Sequence, residues 1–184
     1  HIADVLLGRP SIEPENLGKA RFNVQLLIRE LATSGPHPPE DGLVRAVLLD
    51  IASAVNPYLP ASRLAPLWDT LASQPGYYAL SERTRDWFAL HRAVGARDAA
   101  TMATLAARLI ETTPRDQISQ AEASYLLAAG LTGCLANGDK DKARVLLETF
   151  VNHHEPIRQP PLYLHLLVQQ SSAGGDISRY GTPK

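Results

Sequence analysis

Prolines divide this chain into stretches of helical length. They occur within residues 10–14, 35–42 and 57–60, at residues 75 and 114, and again within residues 156–161. Proline costs about 3 kcal/mol inside a helix but is tolerated in first turns and connections, so these positions are expected to separate structural elements. The stretches between them are rich in alanine and leucine, which are good helix formers and poor strand formers. The pattern predicts an all-α chain.

Apolar spacing within each stretch places the individual helices. We expect them at residues 15–33, 41–55, 61–74, 82–94, 98–112, 119–136, 140–152 and 161–170. Ser81 is expected to cap the helix that follows it, because a serine hydroxyl accepts a first-turn amide. No alternating strand pattern or hairpin dipeptide between two such patterns occurs.

A chain of 184 residues is long enough for one sizeable core or for a short array of repeated units. We therefore predict a single all-helical domain over residues 1–170. The last stretch, residues 171–184, is rich in glycine and serine and is expected to be a flexible tail. Because the chain begins with His1 rather than methionine, we expect it to be part of a larger protein.

The charge balance argues against two classes of partner. A net charge of −1 and a pI near 6.7 give no basic field for nucleic acid or for an anionic membrane surface. The longest uncharged run, residues 123–138, is shorter than the ~20 residues needed to cross a bilayer. We predict no nucleic-acid partner and no membrane insertion. The sequence does not determine the cellular compartment, although the cytoplasm is slightly favoured. Cys134 is expected to be buried and unreactive.

Two helices repeat each other's apolar pattern. Residues 102, 105, 106, 109 and 110 match residues 143, 146, 147, 150 and 151 at a constant offset of 41 residues. Offsets of this size are typical of helical-hairpin arrays. The helix over residues 119–136 is apolar nearly all round, so it is expected to lie between two neighbours. Four core residues are predicted for this part of the chain, Leu127, Leu131, Leu147 and Phe150.

The second hairpin resembles the tetratricopeptide-like helical repeats. The resemblance is carried by the turn over residues 138–143, by Leu147 and Phe150, and by Pro156 near the end of the unit. It covers residues 81–156, although the period is longer than the family's and the Leu-Gly pair is reversed at residues 130–131. The resemblance implies antiparallel helical hairpins stacked as a short right-handed solenoid, with a surface that binds a protein or peptide partner.

Residues that could carry chemistry are few. His153, His154 and Glu155 are adjacent, so on a helix they point about 100° apart and do not converge on a metal. His91 falls in an apolar stripe and is expected to be a hydrogen-bonded core residue rather than a catalytic base. The standard phosphate-loop, dinucleotide, zinc-protease and nucleophile-elbow motifs are missing from the sequence. We predict no catalytic residue, no cofactor and no metal.

The remaining candidate is a partner-binding surface. Tyr77 and Tyr78 stand near Arg83 and Arg92 in the sequence, and tyrosine and arginine are enriched in binding hot spots. We expect a groove walled by the helices over residues 82–94 and 119–136, with the two tyrosines at its rim and Arg83 or Arg92 beside them on the first wall. The predicted function is that of a non-catalytic interaction or assembly module. The sequence does not predict its oligomeric state. The alternatives are an enzyme with His91 or His153 as base, and a regulatory domain beside a catalytic or DNA-binding domain elsewhere.

Overall fold

The computed structural model of the chain describes residues 14–32, 40–56 and 60–153. Within these ranges it contains seven α-helices and two short 3₁₀ turns, and no β-strand. The helices are α1 (Pro14–Ala32), α2 (Asp41–Val55), α3 (Ala61–Ala72), α4 (Glu82–Ala96), α5 (Ala99–Thr112), α6 (Gln120–Ala136) and α7 (Lys140–His153). The 3₁₀ turns are Pro75–Ala79 and Arg115–Gln117. The all-α prediction is confirmed for the described part of the chain.

Each of the seven predicted helices within these ranges ends within two residues of its expected limits. The largest differences are at α3, which ends at Ala72, and at α4, which continues to Ala96. Helix α4 stops where Arg97 adopts a left-handed backbone conformation with φ of 58°. The predicted helix over residues 161–170 and the predicted tail over residues 171–184 lie outside the described residues.

Side chains at the helix starts explain why the limits were predictable. The Ser81 hydroxyl accepts the amide of Thr84 at 3.2 Å, which confirms Ser81 as the N-cap of α4. Ser119 forms a capping box with Glu122: its hydroxyl accepts the Glu122 amide at 3.2 Å, and the Glu122 carboxylate accepts the Ser119 amide at 2.8 Å. Both devices satisfy amides that have no partner within the helix.

A short turn joins α6 to α7. Gly138 has φ of +72°, a conformation that glycine adopts without steric cost. Its amide donates to the carbonyl of Leu135 at 3.0 Å, and the Asp139 amide donates to the carbonyl of Cys134 at 2.9 Å. This is the Schellman arrangement that closes many helices. Asp139 then starts α7 by accepting the Lys142 amide at 2.9 Å.

The chain divides into two compact units, residues 1–97 and residues 98–184. The first contains α1 to α4, and the second contains α5 to α7. The boundary therefore falls between the two helices of the first predicted hairpin, α4 and α5. Two compact units can belong to one domain, so the predicted single domain over residues 1–170 stays a prediction.

In the first unit, each helix packs against two others in the order α1, α2, α4, α3 and back to α1. The turn Pro75–Ala79 also packs against α1. The core is filled by large side chains from all four helices. Among those with the lowest exposure are Leu27, Leu31, Leu48, Ile51, Leu64, Leu67, Trp68, Leu71, Trp87 and Leu90.

In the second unit, α6 lies between α5 and α7, and the two outer helices also contact each other. A Cβ atom added to Gly133 would lie 2.7 Å from the Ala103 amide nitrogen and 2.7 Å from the Ala99 carbonyl oxygen. One added to Gly130 would lie 2.6 Å from a methyl group of Leu146 on α7. The glycines thus let α5 and α7 approach α6 closely, which confirms the prediction of a central helix.

The predicted core of the second unit is confirmed. Leu127 and Leu131 of α6 and Leu147 and Phe150 of α7 all have side chains that are buried. Helices α5 and α7 also bury equivalent positions at the offset of 41 residues. The equivalent buried pairs are Met102 with Ala143, Leu105 with Leu146, Ala106 with Leu147 and Leu109 with Phe150. None of the described helices combines the length and the apolar character that crossing a bilayer requires.

Candidate functional site

The two tyrosines of the predicted partner-binding surface lie in the 3₁₀ turn between α3 and α4. The Tyr77 ring is half-buried and packs edge-on against Phe88, with ring centroids 5.2 Å apart, and against Tyr78 at 5.4 Å. Burial raises the pKa of Tyr77. Tyr78 is 72% exposed. Tyr77 is therefore mainly a packing residue, and Tyr78 is the aromatic ring that the turn offers to solvent.

The two predicted arginines do not lie together. Arg92 forms an ion pair with Asp69 of α3 at 2.9 Å, and both side chains are more than half exposed. Arg83 stands nine residues before Arg92 on α4, which places it on the opposite side of that helix. The positive charge that most opposes the raised pKa of Tyr77 is Arg85, with Arg92 contributing less. We call the 3₁₀ turn Pro75–Ala79 the tyrosine turn. Arg85 and Arg92 lie near this turn, and Arg83 lies on the other side of α4.

His91 is fully buried inside the first unit. Its ring stacks on Trp68 with centroids 5.7 Å apart and an interplanar angle of 18°, and it lies 5.8 Å from the ring of Trp87. The prediction of a core histidine is confirmed in its location. Burial lowers the pKa of His91 to about 3, because a charged ring is poorly solvated there. A general base must reach a substrate proton, and this ring is 0% exposed.

His153 lies at the carboxyl end of α7. Its Nδ1 atom is 2.9 Å from the carbonyl oxygen of Thr149, one turn earlier in the helix. The His153 ring thus contacts the backbone of its own helix. A histidine at this end also interacts favourably with the negative end of the helix dipole. His154 and Glu155 lie outside the described residues. In the described part of the chain, no three His, Cys, Asp or Glu side chains are grouped closely enough to hold a metal ion.

The second unit contains an apolar groove between its two outer helices, with a volume of about 230 Å³. We call it the α5–α7 groove. One side is formed by residues of α5, the other by residues of α7, and a residue of α6 contributes to the lining between them. The lining residues are Ala103, Ala107, Glu111, Cys134, Lys142, Val145, Leu146 and Thr149.

The groove runs along two helices of the same direction. Gly130 of α6 lies against Ala106 of α5, whereas Gly133, further along α6, lies against the earlier residue Ala103. Helices α5 and α6 are therefore antiparallel. Helix α7 follows α6 after a reversing turn and is antiparallel to it as well. Consequently α5 and α7 are parallel. Ala103 and Ala107, one helical turn apart, give the α5 side small side chains and leave room above them.

The groove is apolar in the middle and charged at its two ends. Val145 contributes an apolar side chain that is 51% exposed. Glu111 belongs to the last turn of α5, and Lys142 to the first turn of α7, so the acidic and basic groups are at opposite ends. Cys134 of the lining is 2% exposed, and burial raises the pKa of its thiol. Cys134 is therefore an apolar lining residue, as a buried and inert cysteine is expected to be.

Sequence reasoning did not find this groove. It expected groove walls at residues 82–94 and 119–136, and these helices belong to different units, so that arrangement stays a prediction. Two signals for the α5–α7 groove were present in the sequence. Ala103 and Ala107 form a pair of small residues at a spacing of four, and Val145 is an apolar residue outside the repeated core pattern.

A larger and more polar depression lies between α1 and α2 in the first unit, with a volume of about 690 Å³. Its lining combines the charged groups Lys19 and Asp50 with the ring of Phe22, which is 63% exposed. Lys19 and Asp50 project from different helices, and among the described residues no three His, Cys, Asp or Glu side chains are grouped there to hold a metal ion. It is a shallow surface of mixed character.

Comparisons with known proteins return nothing: no family model, no curated protein and no solved structure matches the chain. The resemblance to tetratricopeptide-like repeats therefore rests on the turn over residues 138–143 and on Leu147, Phe150 and Pro156 alone. A function for this chain has to be argued from the geometry of its own surfaces.

Proposed function

We propose that the chain is a non-catalytic interaction module that binds an apolar segment of a protein partner in the α5–α7 groove. The observation that carries the proposal is the half-exposed Val145 beside the small side chains of Ala103 and Ala107. An apolar side chain from a partner would remove this surface from water, which is worth roughly 25 cal/mol per Å² buried. The two parallel helices would guide a helical segment along the groove.

The repeated burial pattern of α5 and α7 supports a helical-hairpin array as the framework for this surface. In a tetratricopeptide-like solenoid of right-handed twist, successive hairpins place equivalent helices side by side. Helices α5 and α7 bury equivalent positions 41 residues apart and contact each other. Arrays of this kind use the faces of such helices for binding extended or helical partner segments.

The tyrosine turn, in the first unit, is proposed as a separate contact surface. Tyr78 is exposed, and Arg92 lies near the turn, so this surface suits a partner segment that carries an acidic group. Arg83, on the other side of α4, would contribute only to a partner that wraps around that helix. Ion pairs at exposed positions contribute about 0 to 1 kcal/mol, so Arg92 is expected to add little affinity to this surface.

The proposal can be tested by selecting peptides from a random display library on the immobilised full chain. Peptides bound in the α5–α7 groove should lose affinity for the Val145→Asp variant by tenfold or more, about 1.4 kcal/mol, because the substitution puts a charge into an apolar site. Asn152→Asp is the matched control, since Asn152 is exposed on α7 and does not line the groove. Affinity for that variant should be unchanged.

Two results would contradict the proposal. One is a selection in which no peptide is enriched over the unmodified support. The other is a set of enriched peptides whose affinity is the same for the unmodified chain, Val145→Asp and Asn152→Asp, provided that circular dichroism shows all three to be equally helical. Sensitivity to Tyr78→Ala and Arg92→Ala but not to Val145→Asp would transfer the binding site to the tyrosine turn.

A further inference from the structure

We propose that the partner of the α5–α7 groove is a second copy of this chain, with the face formed by α5 and α7 of one copy packed antiparallel on the same face of the other. This inference rests on the proposed function, because it names the partner of the same surface. Such a contact is isologous, since a twofold axis relates the two copies and both use the same residues. A face packs on itself in this way only if its charges and its shape are complementary to themselves.

The charges of the groove are complementary to themselves when the second copy is antiparallel. Of the described residues that line the groove, Glu111 and Lys142 are charged, and they lie at opposite ends. A twofold axis that crosses the groove at its middle reverses the direction of the second copy. Each end of the interface therefore brings together Glu111 of one copy and Lys142 of the other. A parallel second copy would instead place both glutamates at one end and both lysines at the other.

Lys142 can accept a second acidic neighbour. Its ammonium group is 3.2 Å from the carboxylate of Asp139 in its own chain, and its side chain is 75% exposed. A lysine ammonium group has three hydrogen-bond donors, so the Asp139 contact leaves donors for a carboxylate of another copy. The dipoles of α5 and α7 point in the same direction, because these helices are parallel. An antiparallel second copy places the negative ends of these dipoles beside the positive ends of its own.

The middle of the face is apolar, and its side chains are short. Val145 is 51% exposed, and Ala103 and Ala107 contribute only methyl groups on the α5 side. Short side chains let the helices of the second copy approach closely. Near the twofold axis, Val145 of each copy would cover Val145 of the other. The contact would thus remove from water an apolar side chain that is half exposed in a single copy.

The charge of the whole chain does not oppose association of two copies. The net charge is −1, so the long-range repulsion between copies is weak. A net charge near zero favours association of protein molecules. One chain supplies both charged groups at the positions that an antiparallel copy requires. This match favours a second copy over a segment of an unrelated protein.

The test is sedimentation velocity of the full chain over roughly a thousandfold range of protein concentration, because the population of a dimer depends on concentration. The unmodified chain should pass from monomer to dimer within this range. Val145→Asp places two carboxylates against each other near the twofold axis and should raise the dissociation constant of the dimer by about tenfold or more. Thr132→Asp is the matched control, since Thr132 is exposed on α6 and does not line the groove. It adds the same charge and should leave the dissociation constant unchanged.

Exchange of the two charged residues tests the direction of the second copy. Glu111→Lys alone or Lys142→Glu alone brings like charges together at both ends and should raise the dissociation constant by about threefold or more. The double variant has opposite charges at each end again, so its dissociation constant should return to that of the unmodified chain. Each substitution also suits its helix, because Glu111 is in the last turn of α5 and Lys142 in the first turn of α7. Circular dichroism verifies that all variants are equally helical.

Three outcomes would overturn the inference. A chain that sediments as a monomer at every concentration does not bind a second copy. A dimer that responds equally to Val145→Asp and Thr132→Asp associates through another surface. A double variant that associates no better than the single variants contradicts the antiparallel arrangement.

The peptide selection described above separates these failures from a failure of the proposed function. Peptides that bind a purely monomeric chain and are sensitive to Val145→Asp would keep the groove as a binding site and assign it to another protein. Enriched peptides that convert the dimer to monomer would support both the groove and the second copy as its partner. Dimer formation that is sensitive to the charge exchange, without any enriched peptide, would support the second copy and contradict the binding of separate segments.

Discussion

The two units of this chain fill their cores in different ways. The first unit surrounds His91 with the rings of Trp68 and Trp87, so large flat side chains occupy the space between its helices. The second unit brings its helices together at Gly130 and Gly133, whose missing side chains leave room for the Leu146 side chain of α7 and for the backbone of α5. Both units are all-helical in the described part of the chain, and both are rich in leucine and alanine. The same helix-forming composition thus supports two kinds of helix packing.

Different substitutions should therefore weaken the two units. A core of large rings is weakened when a ring is removed, because a cavity is left that the surrounding helices fill only partly. A core of close backbone contacts is weakened when an atom is added, because the helices have to move apart. Both tryptophans of the chain belong to the first unit, so tryptophan fluorescence reports unfolding of that unit, whereas far-ultraviolet circular dichroism reports both units.

The largest effect is expected for Trp68→Ala in the first unit. Trp68 is 1% exposed and stacks on His91, so its removal should reduce the free energy of unfolding by ~3–5 kcal/mol. Urea unfolding followed by the fluorescence of Trp87 measures this loss. Tyr78→Ala is the control, because Tyr78 is 72% exposed, and it should change stability by less than ~0.5 kcal/mol. Similar losses for the two variants would contradict the ring-filled core.

Acid should weaken the first unit through His91. In the unfolded chain this ring takes up a proton near pH 6.5, whereas in the folded chain its pKa is lowered to about 3. The contribution of His91 is therefore complete above pH 6.5 and is lost as the pH falls toward 3. At pH 4.5 the loss should be on the order of 2–3 kcal/mol relative to pH 7.

The measurement is urea unfolding by tryptophan fluorescence at a series of pH values, for the unmodified chain and for His91→Gln. Glutamine does not titrate, so the variant should retain only the acid sensitivity that the carboxylates contribute. The two curves of stability against pH should converge as the pH falls. Parallel curves between pH 7 and pH 4.5 would show that His91 takes up its proton equally well in the folded state.

A comparison of two glycines tests the close packing of the second unit. Gly133→Ala places a methyl group 2.7 Å from backbone atoms of α5 and should reduce stability by ~1–3 kcal/mol. Gly18→Ala in α1 meets no atom within 4 Å and should raise stability by ~0.5–1 kcal/mol, because alanine favours the helix. Urea unfolding by circular dichroism gives both values. Changes in the free energy of unfolding that have the same sign for both substitutions would contradict the difference between the exposed Gly18 and the enclosed Gly133.

The smallest effect is expected for Ser119→Ala, which removes the cap of α6. The loss should be about 1 kcal/mol, since the substitution frees the Glu122 amide and deprives the Glu122 carboxylate of the serine hydroxyl at 2.7 Å. Ser119→Thr should retain most of the stability, because threonine keeps a hydroxyl that can accept the Glu122 amide and donate to the Glu122 carboxylate. Thermal unfolding measures both variants, and equal melting temperatures for Ser119→Ala and the unmodified chain would contradict a stabilising cap.

The helices and the core could be read from the sequence because their causes are local. Prolines, the Ser81 cap and the Gly138 turn act over a few residues, and apolar spacing identifies the buried face of a helix before its neighbour is known. The predicted burial of Leu131 and Phe150 follows from that spacing alone. The position of His91 in an apolar stripe likewise indicated its place in the core.

The candidate sites could not be read in the same way, because they depend on which surfaces stay uncovered after the helices pack. The choice between Arg83 and Arg85 requires knowledge of which side of α4 meets the tyrosine turn. The α5–α7 groove exists because α5 and α7 pack side by side, so that Ala107 and Val145 line the same groove although they are distant in sequence. Pairing between helices is a tertiary property, so one sequence by itself does not determine it.

The position of α6 has a further consequence for the motions of the second unit. Its backbone amides are protected both by its own helical hydrogen bonds and by a neighbour on either flank, so they become accessible only when α5 or α7 detaches. Amide hydrogen exchange in the middle of α6 should accordingly be the slowest of the three helices and should report the opening of the whole unit. The outer helices can fray singly from their ends, whereas the central helix exchanges only through the cooperative event.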